Sequence, residues 1–142
     1  MKLLIALMLM VIFASLAIIH FYWALGGRRS VNAAVPVFAD NQQPLFKPGP
    51  LPTLIVGLGL LCFAGVILLQ MNMITVSWVP AQFVRYISWG ITAIFILRAI
   101  GDFKYVGFFK SVKATDFGRM DSQYYSPLCL LISILTSILH FY

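Results

Sequence analysis

Apolar residues run almost unbroken through four stretches of this chain, and polar residues gather in the segments between them. The first stretch covers about residues 3–25, which as a helix would be roughly 34 Å long. That length crosses a hydrocarbon core of roughly 30 Å and exceeds the 7–15 apolar residues of a signal peptide. It therefore reads as an uncleaved first helix, closed by Gly26-Gly27 and followed by Arg28 and Arg29 as interfacial anchors. The other stretches lie at about 53–76, 81–103 and 125–142. The pattern predicts an all-α fold, a four-transmembrane-helix bundle, forming one integral membrane domain over residues 1–142.

The connections differ in character. Pro36, Pro44, Pro48, Pro50 and Pro52 exclude a continuous helix from the first loop, where Val35 to Phe38 is apolar enough to dip into the interface. Ser77-Trp78-Val79-Pro80 is brief enough only for a hairpin between antiparallel helices. Phe103 to Phe109, aromatic and basic, either extends the third helix or lies flat on the membrane. Ser126-Pro127 reads as an N-cap with proline at the first helical position. Gly57, Ala64 and Gly65 leave a stripe of small residues on the second helix, where a neighbour can approach closely.

Composition sharpens this picture. The chain is 61% hydrophobic and 10% charged, against about a quarter charged in soluble domains, which excludes a water-soluble fold. The net charge is +6, but the cations are scattered between apolar segments. That suits anionic lipid headgroups and gives nucleic acid no basic run to follow. Seven cations sit in the two long loops, and Lys2 and Arg85 alone face the other way. The positive-inside bias predicts a multi-pass protein of the cell membrane, with the long loops cytoplasmic and both termini outside. Tyr22, Trp23, Tyr105, Tyr124 and Tyr125 mark one boundary, and Trp78, Tyr86, Trp89 and Tyr142 the other. Most of the remaining aromatic residues read as lipid-facing. Cys62 and Cys129 read as small buried hydrophobes.

Candidate chemistry is sparse. Arg98 and Asp102 stand one helical turn apart in the third stretch, where an unpaired cation is costly and a carboxylate at i+4 relieves it. Either Arg98 snorkels to the surface with Asp102 as its partner, or it points inward to an anionic headgroup or substrate with Asp102 orienting it. His20 reads as an interfacial hydrogen-bonding residue, or as a proton acceptor if it faces Asp102 or Asp121. Asp121 precedes the fourth helix, opposing its dipole. His140 reads as an interfacial anchor at the other surface. The topology gathers His20, Arg98, Asp102, Asp121, Gln123 and Tyr124 around one cytoplasm-facing vestibule. Glu is absent, and no motif for a metal, a nucleotide or another cofactor occurs.

Three segments carry a likeness. His20-Phe-Tyr-Trp-Ala-Leu-Gly-Gly27, followed by Pro36, Arg98-Ala-Ile-Gly-Asp102-Phe-Lys-Tyr-Val-Gly-Phe-Phe109 and Asp121-Ser-Gln-Tyr-Tyr-Ser-Pro-Leu128 resemble the signatures of a group of small bacterial four-helix membrane proteins known only as a domain of unknown function. The resemblance spans nearly the whole chain. It implies fold and location, and no activity.

Three functions follow as expectations. The first is a pocket on the cytoplasmic side for an amphiphilic or anionic small molecule or lipid, built from His20, Tyr22, Trp23, Arg98, Asp102, Asp121 and Tyr124. The second is an enzyme moving protons on a lipid, with His20 and Asp102 or Asp121 as base and acid. The third is a structural or assembly subunit using an exposed Gly57/Gly65 face. Membrane lipids are the expected partners. The oligomeric state and the ligand are not encoded in any motif.

Overall fold

The computed structural model describes residues 1–41 and 43–141, with the Asn32 side chain left aside. It is all-helical. Its order is α1 (Lys2–Ala24), α2 (Val31–Ala34), α3 (Pro50–Gln70), α4 (Ala81–Ile100), α5 (Asp116–Met120), a five-residue π-helical segment (Asp121–Tyr125) and α6 (Ser126–His140). Among the described residues the only extended pairing is a single bridge between Val37 and Pro44. Among the described residues four helical spans are long and apolar enough to cross a membrane: Lys2–Ala24, Pro50–Gln70, Ala81–Ile100 and Asp116–His140.

Helix α1 packs chiefly on α3, and α4 chiefly on α6, so the bundle is two helix pairs set side by side. On α1 the buried positions are Ile5, Ala6, Leu9, Phe13 and Ala17, one stripe at helical spacing. On α4 they are Val84, Ser88, Ile91, Thr92, Phe95 and Ala99. The pairs meet through an aromatic cluster. Phe13 lies 5.9 Å from Phe63 and 5.8 Å from Phe95, and Phe63 lies 6.3 Å from Phe95, ring centre to ring centre. Separations of this size are those of favourable edge and tilted contacts. These three rings are therefore internal, although a lipid-facing position was expected of most aromatics. Hydroxyls add cross-links: Thr92 Oγ1 donates to Thr136 Oγ1 at 2.9 Å, and Ser88 Oγ donates to Gln70 Oε1 at 2.9 Å. Bonds of this kind join helices where water is absent.

The helix ends depart from the expected limits for local reasons. Helix α3 begins at Pro50, because proline in a first turn lacks only an N–H that would be unpaired there. It ends at Gln70, well short of 76, and Asn72 just beyond adopts φ 54°, a left-handed conformation that asparagine tolerates. Helix α4 stops at Ile100, because Gly101 (φ 86°, ψ −164°) leaves helical space. The fourth span starts at Asp116, well before 125, so it is not near the lower length limit. Ser126 is accordingly inside the rod and caps nothing. Pro127 has no N–H to give the carbonyl four residues back. The turn before it widens, and the Ser126 N–H donates to the Asp121 carbonyl in a five-residue step. Tyr142, expected at the end of this helix and in the aromatic belt, lies outside the described residues.

Candidate functional site

Phe103 to Phe109 neither extends α4 nor runs flat. The chain turns back on the end of α4, with the Phe108 N–H bonded to the Ala99 carbonyl at 2.8 Å and the Asp102 N–H to Val106 at 3.2 Å. Gly101 (φ 86°) and Gly107 (φ 90°) cross backbone to backbone, and a Cβ on either would collide with main-chain atoms of the other strand of the loop. Glycine is required at both crossings.

This fold-back separates Arg98 from Asp102 and gives each a different partner. The Asp102 Oδ1 accepts from three successive amides, Lys104 at 2.9 Å, Tyr105 at 2.7 Å and Val106 at 2.8 Å. It thereby holds a turn in which Phe103 sits at φ 63°, a costly conformation for an aromatic residue. Asp102 is thus a loop staple and not the partner of Arg98. Burial opposes its ionisation, but the amides of Val106, Tyr105 and Lys104 outweigh that and hold the carboxyl below the usual carboxylate range. Its contribution to stability is therefore complete above the ordinary aspartate pKa and fades as pH falls through the lowered folded-state value. Asp102→Ala should cost about 1 kcal/mol, as loss of a capping side chain does. Hydrogen exchange at the Lys104–Val106 amides should show the loosening, with Asp102→Asn the milder variant.

The carboxylate that Arg98 meets is Asp121, 23 residues on. Arg98 Nη2 donates to Asp121 Oδ1 at 2.8 Å. Three more donors reach Oδ2: the Gly107 N–H at 2.9 Å, Lys110 Nζ at 2.9 Å and Ser126 Oγ at 3.0 Å. Four donors occupy the roughly four acceptor positions a carboxylate offers. Lys110 is equally satisfied, since its ammonium also donates to the Gly107 carbonyl at 2.9 Å and Ser122 Oγ at 2.7 Å. The Asp121 and Lys110 side chains are 0% exposed, and Arg98 is 34% exposed. Two cations thus share one anion, and the cluster carries one surplus positive charge. Sequence spacing gave no sign of Lys110, which reads there as one more loop cation.

Beside this cluster the two helix pairs leave between them a half-open cavity of about 840 Å³. Helix α1 lines it with Leu16, Ile19, His20, Tyr22 and Trp23, and α3 with Val56, Gly59, Leu60 and Phe63. From α4 come Ile94, Phe95 and Arg98, and from the last rod Met120, Tyr125, Leu128, Cys129 and Ile132. The first loop closes over the end, contributing Arg29, Ser30 and Ala34. Two hydrogen bonds pin that loop: Trp23 Nε1 to the Arg29 carbonyl at 2.9 Å, and Tyr125 Oη to the Ala33 carbonyl at 3.2 Å. Polar groups gather at the loop end of the cavity, while Leu60, Phe63, Phe95 and Ile132 make its interior apolar. Arg98 makes one hydrogen bond, through Nη2, and its Nη1 is buried without a protein partner.

Of the seven residues expected at the site, His20, Tyr22, Trp23 and Arg98 line this cavity. Asp121 sits behind Arg98 and fixes it, and neither Asp102 nor Tyr124, which is exposed, is in the lining. Tyr125, Cys129 and Arg29 were not foreseen in it. Of the two carboxylates proposed as acid or base, Asp121 has both oxygens engaged by donors and Asp102 accepts three amides through Oδ1, which favours the ionised form of each. Gly57 is not an exposed contact face: a Cβ there would strike the Phe21 ring of α1, and the position is buried. His140, expected as a surface anchor, stacks on Trp89 with ring centres 4.0 Å apart.

A family model described as "Protein of unknown function (DUF3995)" matches residues 13–136. No curated protein and no solved structure matches the chain.

Proposed function

This chain belongs to the DUF3995 family, and from that premise and its four membrane-length helices we propose that it binds an amphiphilic molecule with an anionic head in the cavity beside Arg98. One observation carries the reading. Arg98 borders an apolar cavity of about 840 Å³ with its Nε N–H neither hydrogen-bonded nor sealed off, next to a cluster whose surplus charge is positive. Small-molecule sites are typically apolar hollows of about 300–1,000 Å³ with a few placed polar groups. Asp121 orients the guanidinium through one edge, and the ligand's anionic oxygen takes the other. The tail lies along Phe63, Phe95 and Ile132.

Decanoate is a suitable probe, titrated into the protein in lipid nanodiscs. Arg98→Gln should weaken its binding by about 10- to 100-fold, the range of a lost charged hydrogen bond. The variant should fold, because Asp121 keeps Lys110, Gly107 and Ser126. Unchanged affinity would exclude Arg98 as the head-group partner.

We also propose that the cavity's polar end faces the cytoplasm, because seven cations lie in the loops on that side and two on the other. Alkaline phosphatase fused after residue 141 should then be active outside the cytoplasm, and a fluorescent protein there dark. The reverse pair of signals rejects this orientation.

A further inference from the structure

His20 gives the same cavity a second fixed polar group. Its Nδ1 lies 2.7 Å from the Leu16 carbonyl oxygen. A carbonyl only accepts, so the ring hydrogen resides on Nδ1, and in the neutral ring Nε2 is an acceptor. Among the described residues no donor reaches Nε2. Nor is it sealed away, since the buried atoms without partners are Arg98 Nη1 and the two His140 nitrogens. His20 lines the cavity, so a ligand there lies against a ring whose acceptor has no protein partner. Trp23 steadies the ring edge-on, centre to centre 5.3 Å.

Depth matters as well. His20 stands four residues before the end of α1 and Arg98 two before the end of α4. At about 1.5 Å per residue each lies within about 6 Å of its own helix end, at the loop end of the cavity. Both therefore address the head of a ligand, and neither its tail. The α1 lining from Leu16 to Trp23 covers roughly 10 Å along the axis, which accommodates a tail of medium length.

We infer that the ligand's head carries an O–H donor beside its anionic oxygen, so that the ligand class is a hydroxy-substituted amphiphilic acid. This rests on the anionic-amphiphile reading above. Arg98 pairs with the acid and His20 Nε2 accepts the hydroxyl hydrogen. An acid without that donor leaves Nε2 unpaired against a mostly apolar wall, and sites built to bond a hydroxyl discriminate strongly against analogues lacking it.

The test uses the full chain in nanodiscs at pH 8, above the ordinary imidazole range, with decanoate, 2-hydroxydecanoate and 2-methoxydecanoate as probes. The readout is the indole ¹H–¹⁵N resonance of Trp23, which lines the cavity. Trp78, in the α3–α4 turn, and Trp89, against His140, serve as controls for unspecific partition into lipid. The hydroxy acid should titrate Trp23 at about tenfold lower concentration than decanoate. The methoxy acid, which keeps the oxygen and loses the donor, should behave like decanoate. In His20→Phe the ratio of hydroxy-acid to decanoate affinity should fall to about one, whatever the change in decanoate binding itself. Equal affinity for the three acids in the wild type overturns the inference, as does a preference that survives in His20→Phe. Decanoate binding that is absent, or indifferent to Arg98→Gln, overturns the underlying reading and the inference with it.

Discussion

Asp121→Ala should destabilise the folded protein by about 3–5 kcal/mol, the usual result of removing one partner from a buried ionic cluster. The substitution leaves Lys110 wholly enclosed, with its charge uncompensated, and frees Arg98 and the Gly107 amide. Asp121→Asn should be less severe, because one amide oxygen still accepts. Lys110→Met added to Asp121→Ala should recover much of the loss, since it removes the stranded charge, and apolar replacement of a buried cluster is often close to neutral. Unfolding curves in detergent, followed by circular dichroism, separate these cases. A double variant no more stable than Asp121→Ala alone would mean that the loss is not due to the isolated cation.

Gly101→Ala is the second large effect, expected at about 3 kcal/mol or more. Its backbone (φ 86°, ψ −164°) lies in a region open essentially to glycine, worth about 1–3 kcal/mol by itself. The added methyl also meets the Val106 carbonyl. Backbone atoms cannot rotate aside as a side-chain tip does, so the loop must open, and the Gly107 amide is then drawn away from Asp121. Gly65→Ala is the control, because a Cβ there has open space inside a helix, and it should leave stability unchanged or raise it by up to about 1 kcal/mol. If the two alanine variants melt alike, the crossing of Gly101 and Gly107 contributes little.

The spans were legible in the sequence because membrane crossing demands little more than length and apolarity, and substitutions within such a run scarcely blur the signal. The ends were harder. Pro50 and Pro52 look like breakers until one notes that a first turn has no use for their missing donors, and Asn72 gives only a weak sign of stopping α3. The polar cluster was legible in part. Arg98 stood out because a cation among apolar residues has to be explained. Its partner did not, because sequence displays neighbours at i+4 and conceals those brought together by a fold-back. Asp102 was the nearer carboxylate along the chain, but two glycines turn the backbone so that Asp102 meets amides instead. Lys110 gave no hint, being one of several lysines in a loop. Trp23 and Tyr22 were found at the cavity because they sit at a helix end beside His20. Tyr125 and Cys129 were missed because nothing in an apolar rod announces which side faces a hollow.

The widened turn over Asp121–Tyr125 bears on the whole design of the last rod. In a regular helix, positions five apart point about 140° away from each other, so Asp121 and Ser126 would diverge. The extra residue in that turn brings them together, with Ser126 Oγ on Asp121 Oδ2. Above the turn, the rod's angular phase serves an ionic knot. Below it, the phase serves a greasy seam of Ile132, Leu135 and Leu139 against the bundle. The turn works as a phase adjuster between two registers that no uniform helix satisfies at once, so the chain count between the knot and the seam is as constrained as the residues themselves.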